Sequence, residues 1–159
     1  MTLGYRPKVG DILHCDFGRF IDTDGDRITD NDLSCVDYTN FDGRIPPEII
    51  KQRLVMVLNP KVGGGCIVVP ISSREDEDKH TQDKYHVALP YQCLERTTYE
   101  DTPRWIKANL IQMVSLHRLK PIYRADRNRL QLSAPRDLVT EVQKAVIRVI
   151  NANALLGTG

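Results

Sequence analysis

Two apolar runs separated by a glycine-rich segment decide the fold of this chain. Arg53-Leu54-Val55-Met56-Val57-Leu58 is followed by Asn59-Pro60-Lys61-Val62-Gly63-Gly64-Gly65 and then by Cys66-Ile67-Val68-Val69-Pro70-Ile71. The outer segments are apolar and rich in β-branched residues, and the proline and glycines between them mark a turn. The sequence therefore predicts a β-hairpin, with Pro70 marking the end of the second strand or a sheet edge.

Shorter segments on both sides of the hairpin also have strand character. Residues 10–17 alternate with a period near two and predict a first strand, and residues 85–89 predict another. An apolar stretch covers residues 108–119, and a polar segment at 124–129 predicts an exposed hairpin tip. Turn signals at intervals of about eight to twelve residues favour a small barrel or a strongly coiled antiparallel sheet.

The last segment predicts a single C-terminal α-helix. Ser133 is the expected N-cap, Pro135 suits the first turn, and Asp137 favours the positive end of the helix dipole. Gly157 follows as a stop signal. Apolar residues recur on one helical face at Leu138, Val142, Ala145, Val146, Val149 and Ile150. The expected fold class is therefore mostly β (α+β), with a C-terminal helix.

The chain has the length of one ordinary domain. It contains 159 residues, of which 41% are hydrophobic and 27% charged, as in soluble globular proteins. No apolar run approaches the ~20 residues that span a bilayer, and the N-terminus lacks the apolar stretch of a signal peptide. We expect a single domain over residues 1–159, without a membrane segment and located in the cytoplasm. Long segments at about 18–47 and 73–84 interrupt the strand pattern and are expected insertions.

Neither the cysteines nor the acidic residues predict a metal site. Cys15, Cys35, Cys66 and Cys93 are widely spaced, which indicates free thiols. Residues 22–33 imitate a calcium loop, but Arg27 and Leu33 stand where glycine and a bidentate glutamate are needed. We interpret this segment as an acidic surface turn, and we expect no metal or other cofactor.

Several short motifs, in their order along the chain, resemble the MazF/PemK toxins. The first is the strand at 10–17, and the second is Glu48 followed by Arg53 and an apolar strand ending in Asn59-Pro60. The third is Val69-Pro70-Ile71-Ser72-Ser73, and a weaker fourth is Ile111-Gln112-Met113-Val114-Ser115-Leu116. Leu54, Ser72 and Ile111 depart from the residues typical of the family. The resemblance implies an SH3-like β-barrel that forms a homodimer.

The resemblance also implies a toxin endoribonuclease that cleaves single-stranded RNA without a metal and is neutralised by an antitoxin protein. The 2′-hydroxyl would be the nucleophile, and the product would carry a 2′,3′-cyclic phosphate. Two alternatives stay open: a catalytically degenerate binding module of the same fold, and a gyrase-targeting toxin.

Three residues are the expected catalytic group. The resemblance implies Arg53 as the catalytic arginine, and chemistry favours a phosphate clamp and proton donor because arginine is a poor base. Ser72 stands where the family has threonine and could bond a phosphate oxygen. Glu48 is expected to orient Arg53. Their alternatives are an exposed arginine paired with a carboxylate, a turn serine bonded to its own backbone, and a solvated loop carboxylate.

A basic cluster is required for RNA binding because the formal net charge is only +1. Aromatic residues at 38, 41 and 105 are possible stacking platforms for unpaired bases. His14 is either a half-exposed strand residue or part of the chemistry. The expected RNA-binding residues are Lys51, Lys107, Asn109, Gln112, His117 and Arg118.

Overall fold

An eight-stranded antiparallel sheet followed by one helix forms the framework of the protein. The computed structural model describes residues 3–29, 32–124 and 126–157. Asp30 and Asn31 of the acidic segment and Ala125 of the expected hairpin tip lie outside the described residues. The elements are β1 Asp11–Asp16, β2 Gln52–Val62, β3 Gly65–Ser72, β4 His86–Leu89, β5 Arg104–Lys107, β6 Gln112–Ser115, β7 Leu119–Lys120, β8 Ile122–Tyr123, β9 Arg129–Leu130, β10 Leu132–Ser133 and α1 Arg136–Val149.

The central path of the sheet has the order β10-β1-β2-β3-β5-β4. In addition, β6 pairs with β3 and β7 pairs with β1, whereas β8 and β9 form a separate two-stranded sheet. β1 and β3 therefore each contact three strands. This branching lets the sheet coil around its own interior.

The hairpin expected from residues 53–71 is confirmed, but its strands are longer. β2 and β3 pair directly at Leu54 with Ile71 and at Met56 with Val69. Residues 59–62, expected in the turn, continue β2 beyond a shift in register after Val57. Pro60 is accommodated in this irregular part, where the ladder is already interrupted. The turn itself is confined to Gly63 and Gly64.

Both faces of the central strands are buried. One apolar cluster contains Ile12, Leu54, Met56 and Ile71, and the residues of α1 at positions 138, 139 and 142 belong to it. The other contains the alternate residues, including Leu13, Cys15, Val55, Val57 and Val68. Helix α1 covers one face and the coiling of the sheet covers the other. The mostly β fold, a coiled antiparallel sheet with a C-terminal helix, is thus confirmed.

The start of α1 differs from the sequence prediction. Ser133 lies in β10 and its hydroxyl donates to Asp11 Oδ1 at 3.0 Å, whereas Pro135 occupies the cap position without a side-chain cap. The predicted N-cap role of Ser133 is wrong because Asp11 is only 1% exposed and requires donors for its buried carboxylate. Asp137 does lie in the first turn, where Leu138 N donates to it at 3.0 Å.

The sequence analysis did not predict β5, and it treated the following residues 108–119 as one continuous apolar stretch. Arg104–Lys107 has only one buried residue, Ile106, so the strand carries no strong apolar pattern. Residues 108–119 divide into a 3₁₀ turn, β6 and a second 3₁₀ turn. In the described part of the chain, no helix combines the length and apolar character required to cross a membrane.

The long segment at 18–47 is folded onto the sheet. Bridges join Phe20 to Arg44 and Asp22 to Val36, and a small apolar cluster forms from Phe20, Ile28, Val36 and Ile50. The second long segment, 73–84, contains a π-helical turn at Asp78–Gln82. Both segments flank the end of the β2–β3 hairpin, where the candidate site lies.

Candidate active site

The register of β2 and β3 brings Arg53 and Ser72 together. Leu54 is paired with Ile71, so Arg53 precedes one member of the pair and Ser72 follows the other. The two side chains line one cavity of about 320 Å³ at the sheet edge. Its other lining residues are His14, Gln52, Leu54, Ile71, Ser73, Tyr99 and Arg104.

Arg53 is held at its Nε atom. Nε donates to the carbonyl oxygen of Ile50 at 3.0 Å, so the guanidinium is anchored close to the start of β2. The two Nη groups carry the other four N–H donors of the fork. A fixed, permanently charged fork of this kind suits a phosphate group.

Ser72 closes β3 and takes part in a local turn. Its hydroxyl oxygen accepts a hydrogen bond from Arg74 N at 3.1 Å, which is the backbone contact that strand-end serines commonly make. This bond uses the oxygen as an acceptor and leaves the hydroxyl proton available for donation. Ser72 can therefore keep its turn and still donate to a phosphate oxygen in the cavity.

Glu48 lies in different surroundings from those expected. Its carboxylate accepts from Ile45 N at 2.7 Å and lies 3.8 Å from Arg44 Nε. It lines a neighbouring cavity that excludes Arg53. The orienting role that we predicted for Glu48 belongs instead to the Ile50 carbonyl.

Side chains outside the expected catalytic and RNA-binding sets complete the cavity, among them His14, for which the sequence left a part in the chemistry open. His14 Nε2 lies 3.4 Å from the Tyr99 hydroxyl, and the two rings meet edge to face. The Arg104 guanidinium stacks over the Tyr99 ring at 4.9 Å. The residues come from β1, from β5 and from the segment before β5, so no local motif could have revealed the grouping.

The environment of His14 favours its neutral form. Burial lowers the pKa of the ring below its usual range, and the charge of Lys120 lowers it further. Nδ1 is buried and has no hydrogen-bond partner among the described residues. A neutral imidazole at neutral pH can accept a proton.

Lys107 adds positive charge close to Arg53. Burial lowers the pKa of its ammonium group; the charge of Asp76 opposes the shift, and repulsion from Arg74 and Arg53 adds to it. Trp105 is paired with Ser72 across β3 and β5, so alternation places Lys107 on the same sheet face as Ser72. His80 packs against Trp105 at 4.3 Å between ring centroids, which gives this tryptophan a packing role.

The remaining predicted RNA-binding residues are distributed over the surface. Asn109 and Gln112 line the neighbouring cavity, where Gln112 accepts from Arg44 Nη2 at 3.4 Å and Asn109 accepts from His86 Nε2 at 2.8 Å. Arg118 lines a third cavity. His117 is exposed, and Lys51 has a positive φ of 70°.

Comparisons with known proteins identify the family of the chain. Residues 36–150 match the model of the PemK-like, MazF-like toxins of type II toxin–antitoxin systems, and the chain therefore belongs to this family. The match begins after β1. The similarity of residues 10–17 to the family thus stays a prediction.

Two relatives extend over nearly the whole chain. An uncharacterized protein of Haemophilus influenzae is 42% identical over 153 residues, which are 96% of this chain and 95% of the relative. The putative uncharacterized protein YifN of Escherichia coli is 42% identical over 158 residues, with 98% and 99% coverage. Among solved structures, the Mycobacterium tuberculosis toxin MazF-mt6 gives a TM-score of 0.45 at 13% identity, covering 65% of this chain and 91% of that one.

Proposed function

We propose that this protein is a toxin endoribonuclease that cleaves single-stranded RNA in the cytoplasm by attack of the 2′-hydroxyl, without using a metal. The observation that carries the proposal is the cavity shared by the Arg53 guanidinium and the Ser72 hydroxyl. Membership in the toxin family supports the same activity.

RNA supplies the nucleophile for this reaction. The 2′-oxygen forms a bond to phosphorus as its proton leaves, and the bond from phosphorus to the 5′-oxygen breaks. The leaving oxygen must then gain a proton. The products are a 2′,3′-cyclic phosphate and a free 5′-hydroxyl. An enzyme therefore has to provide a proton acceptor, a proton donor and positive charge for the phosphorane.

The residues of the cavity match these three requirements. His14, kept neutral by burial, accepts the proton of the 2′-hydroxyl. Arg53 binds the non-bridging oxygens and donates a proton to the far more basic 5′-oxygen as it leaves. Solvent then reprotonates Arg53 and takes up the proton held by His14, which returns both side chains to their starting forms. Ser72 donates a hydrogen bond to the phosphorane.

The same proposal includes two protein partners. A symmetric homodimer would place two copies of the Arg53–Ser72 pair along one interface groove. An antitoxin with a segment that orders on binding would block that groove. Membership in a type II toxin–antitoxin family supports the antitoxin partner.

The decisive experiment is cleavage of a defined single-stranded RNA by purified protein in the presence of EDTA. We expect cutting that survives EDTA, fragments that end in 2′,3′-cyclic phosphate, and a loss of at least about a hundredfold in Arg53→Ala. Arg53→Lys keeps the charge but loses the fork and should stay strongly impaired. Arg136→Gln, which removes an exposed arginine at the start of α1, is the matched control.

Three results would contradict the proposal. RNA that is bound but never cut would favour a binding module. Capture of gyrase without RNA turnover would favour a gyrase-targeting toxin. Cutting that EDTA abolishes and a divalent cation restores would replace the metal-independent mechanism.

A further inference from the structure

The third cavity, which Arg118 lines, is about 360 Å³ in volume and lies between the 18–47 segment and the end of β1. Four arginines line it: Arg19, Arg27, Arg44 and Arg118. Asp16 and Asp42 are the carboxylates among the lining residues, so positive charge is in excess. Three of the arginines lie on the 18–47 segment, and the folding of that segment brings them together with Arg118, which lies far away in the sequence.

The walls of this arginine cavity are held by backbone contacts. Lys51 N donates to the Gly18 carbonyl at 2.8 Å, and Arg44 N donates to the Arg19 carbonyl at 3.0 Å. Gly43 packs so tightly that a Cβ atom there would collide with the side chain of Ile21. The cavity is therefore built by the fold of the segment, which fixes the backbone positions of Arg19 and Arg44.

Among the arginines of the cavity, one buried donor has no hydrogen-bond partner in the described part of the chain. Arg118 Nη1 donates to the Asp16 carbonyl at 2.8 Å, and Arg44 Nε donates to the Ile49 carbonyl at 3.1 Å. Arg19 Nη1 is buried and has no partner among the described residues. Leaving a buried charged donor unsatisfied is costly, so an anion bound beside the Arg19 guanidinium, which lines the cavity, would relieve this cost.

We propose that the arginine cavity binds a phosphodiester group of the RNA strand, at a nucleotide other than the one being cut. This inference rests on the proposed function, because it takes the RNA substrate as the source of the phosphate. Arg44 lines both this cavity and the neighbouring one that contains Asn109 and Gln112. The two cavities are therefore adjacent, with the Arg44 side chain common to both.

Exposed aromatic side chains favour a nucleic-acid strand over a free anion. Phe41, immediately before Asp42 of the cavity wall, is 80% exposed, and Tyr38 is 53% exposed. Both lie on the segment that builds the cavity. Aromatic rings beside a basic groove are the usual arrangement for stacking unpaired bases while arginines bind the backbone.

The test measures binding separately from cleavage. A fluorescent single-stranded RNA with 2′-O-methyl riboses cannot be cut through its 2′-oxygen, and its affinity is measured over a range of salt concentrations. The variants are Arg19→Gln, the exposed Arg27→Gln and Phe41→Ala, with Arg136→Gln as the charge-matched control. Thermal melting of each variant verifies folding, and Arg27→Gln keeps the test valid if the partly buried Arg19→Gln is unstable.

We expect each arginine variant to weaken RNA binding by roughly tenfold. The slope of the logarithm of the affinity against the logarithm of the salt concentration should become shallower by about 0.7 for each phosphate that is no longer neutralised. Phe41→Ala should weaken binding without changing the slope, and the control should change neither. Equal affinity and slope in the arginine variants and the control would overturn the inference, even if the protein cuts RNA. Competition by a free nucleoside monophosphate, without any change in RNA affinity of the variants, would also overturn it.

The two proposals fail in different ways. If the protein binds the 2′-O-methyl RNA through Arg19 and Arg27 but never cuts ordinary RNA, the cavity assignment stands and the ribonuclease proposal falls. If ordinary RNA is cut and the arginine variants bind normally, the ribonuclease proposal stands and the cavity assignment falls.

Discussion

His14 Nε2 lies 3.4 Å from the hydroxyl of Tyr99, a residue 85 positions later in the chain. The pair closes one side of the cavity that holds Arg53 and Ser72. It places a titratable ring, neutral at neutral pH, next to the two groups suited to binding phosphate. The pair is therefore the part of the proposed mechanism that pH can test.

We expect RNA cleavage to depend on pH through His14. Because burial lowers the pKa of His14, the neutral ring persists below the usual histidine range, and kcat/KM should decline only in more acidic solution. His14→Gln should lower kcat/KM by about 10²–10⁴-fold and abolish the decline of kcat/KM in acidic solution. Tyr99→Phe should retain activity, but the pH at which kcat/KM declines should shift. An unchanged pH profile in His14→Gln would exclude the ring as the proton acceptor.

Ser72 provides a second test of the mechanism. It distinguishes a hydroxyl that contacts the phosphate from one that only stabilises the turn at the end of β3. Ser72→Ala removes both the proposed phosphate contact and the bond from Arg74 N, and we expect kcat to fall about tenfold or more. Ser72→Thr keeps the hydroxyl and should retain most of the activity. Comparable losses in both variants, with unchanged melting temperatures, would show that the hydroxyl does not act on the phosphate.

The β2–β3 hairpin was more accessible from the sequence than the complete site. The hairpin of β2 and β3 is local, and its apolar residues, glycines and proline carry a strong pattern. Its two strand ends also contain Arg53 and Ser72, so the resemblance to a toxin family identified a pair that the register does bring together. Local pattern and family motif agree at this point of the chain.

Two features of the site were not predicted from the sequence, one local and one between distant segments. Glu48 precedes Arg53 by only five positions, yet its carboxylate accepts from Ile45 N and contacts Arg44, four positions before it. The grouping of Tyr99 with His14 depends on the placement of β5, whose apolar pattern is weak. Tertiary packing decides the second grouping and leaves no local signal, whereas the contacts of Glu48 lie within a turn of residues 44–48.

The buried histidines should make the fold sensitive to acid. Burial lowers the pKa values of His14 and His86, although the hydrogen bond of His86 to Asn109 opposes the shift. The unfolded chain therefore binds protons at these rings at higher pH than the native protein. The free energy of unfolding should fall as the pH decreases below about 6.5.

Melting temperatures measured from about pH 7.5 to about pH 5 test this expectation. The double variant His14→Gln/His86→Gln should be less stable at neutral pH but should lose less of its melting temperature on acidification. His117→Gln, at an exposed position, is the control and should behave like the native protein. A double variant with the same acid dependence as the native protein would contradict the assignment.

Asp11 and Ser133 are expected to stabilise the junction between the first strand and the last. The buried Asp11 carboxylate accepts from Lys8 N at 2.9 Å and from the Ser133 hydroxyl at 3.0 Å. Asp11→Ala removes the acceptor of both bonds and should lower the free energy of unfolding by about 1–3 kcal/mol. Ser133→Ala leaves the carboxylate one donor short and should cost about 1 kcal/mol.

A double variant of Asp11 and Ser133 tests whether the two side chains act through one shared bond. Because each single variant interrupts that bond, urea unfolding of Asp11→Ala/Ser133→Ala should show less than the sum of the two single losses. Two losses that add in full would mean that the Ser133 hydroxyl stabilises the protein through a group other than the Asp11 carboxylate.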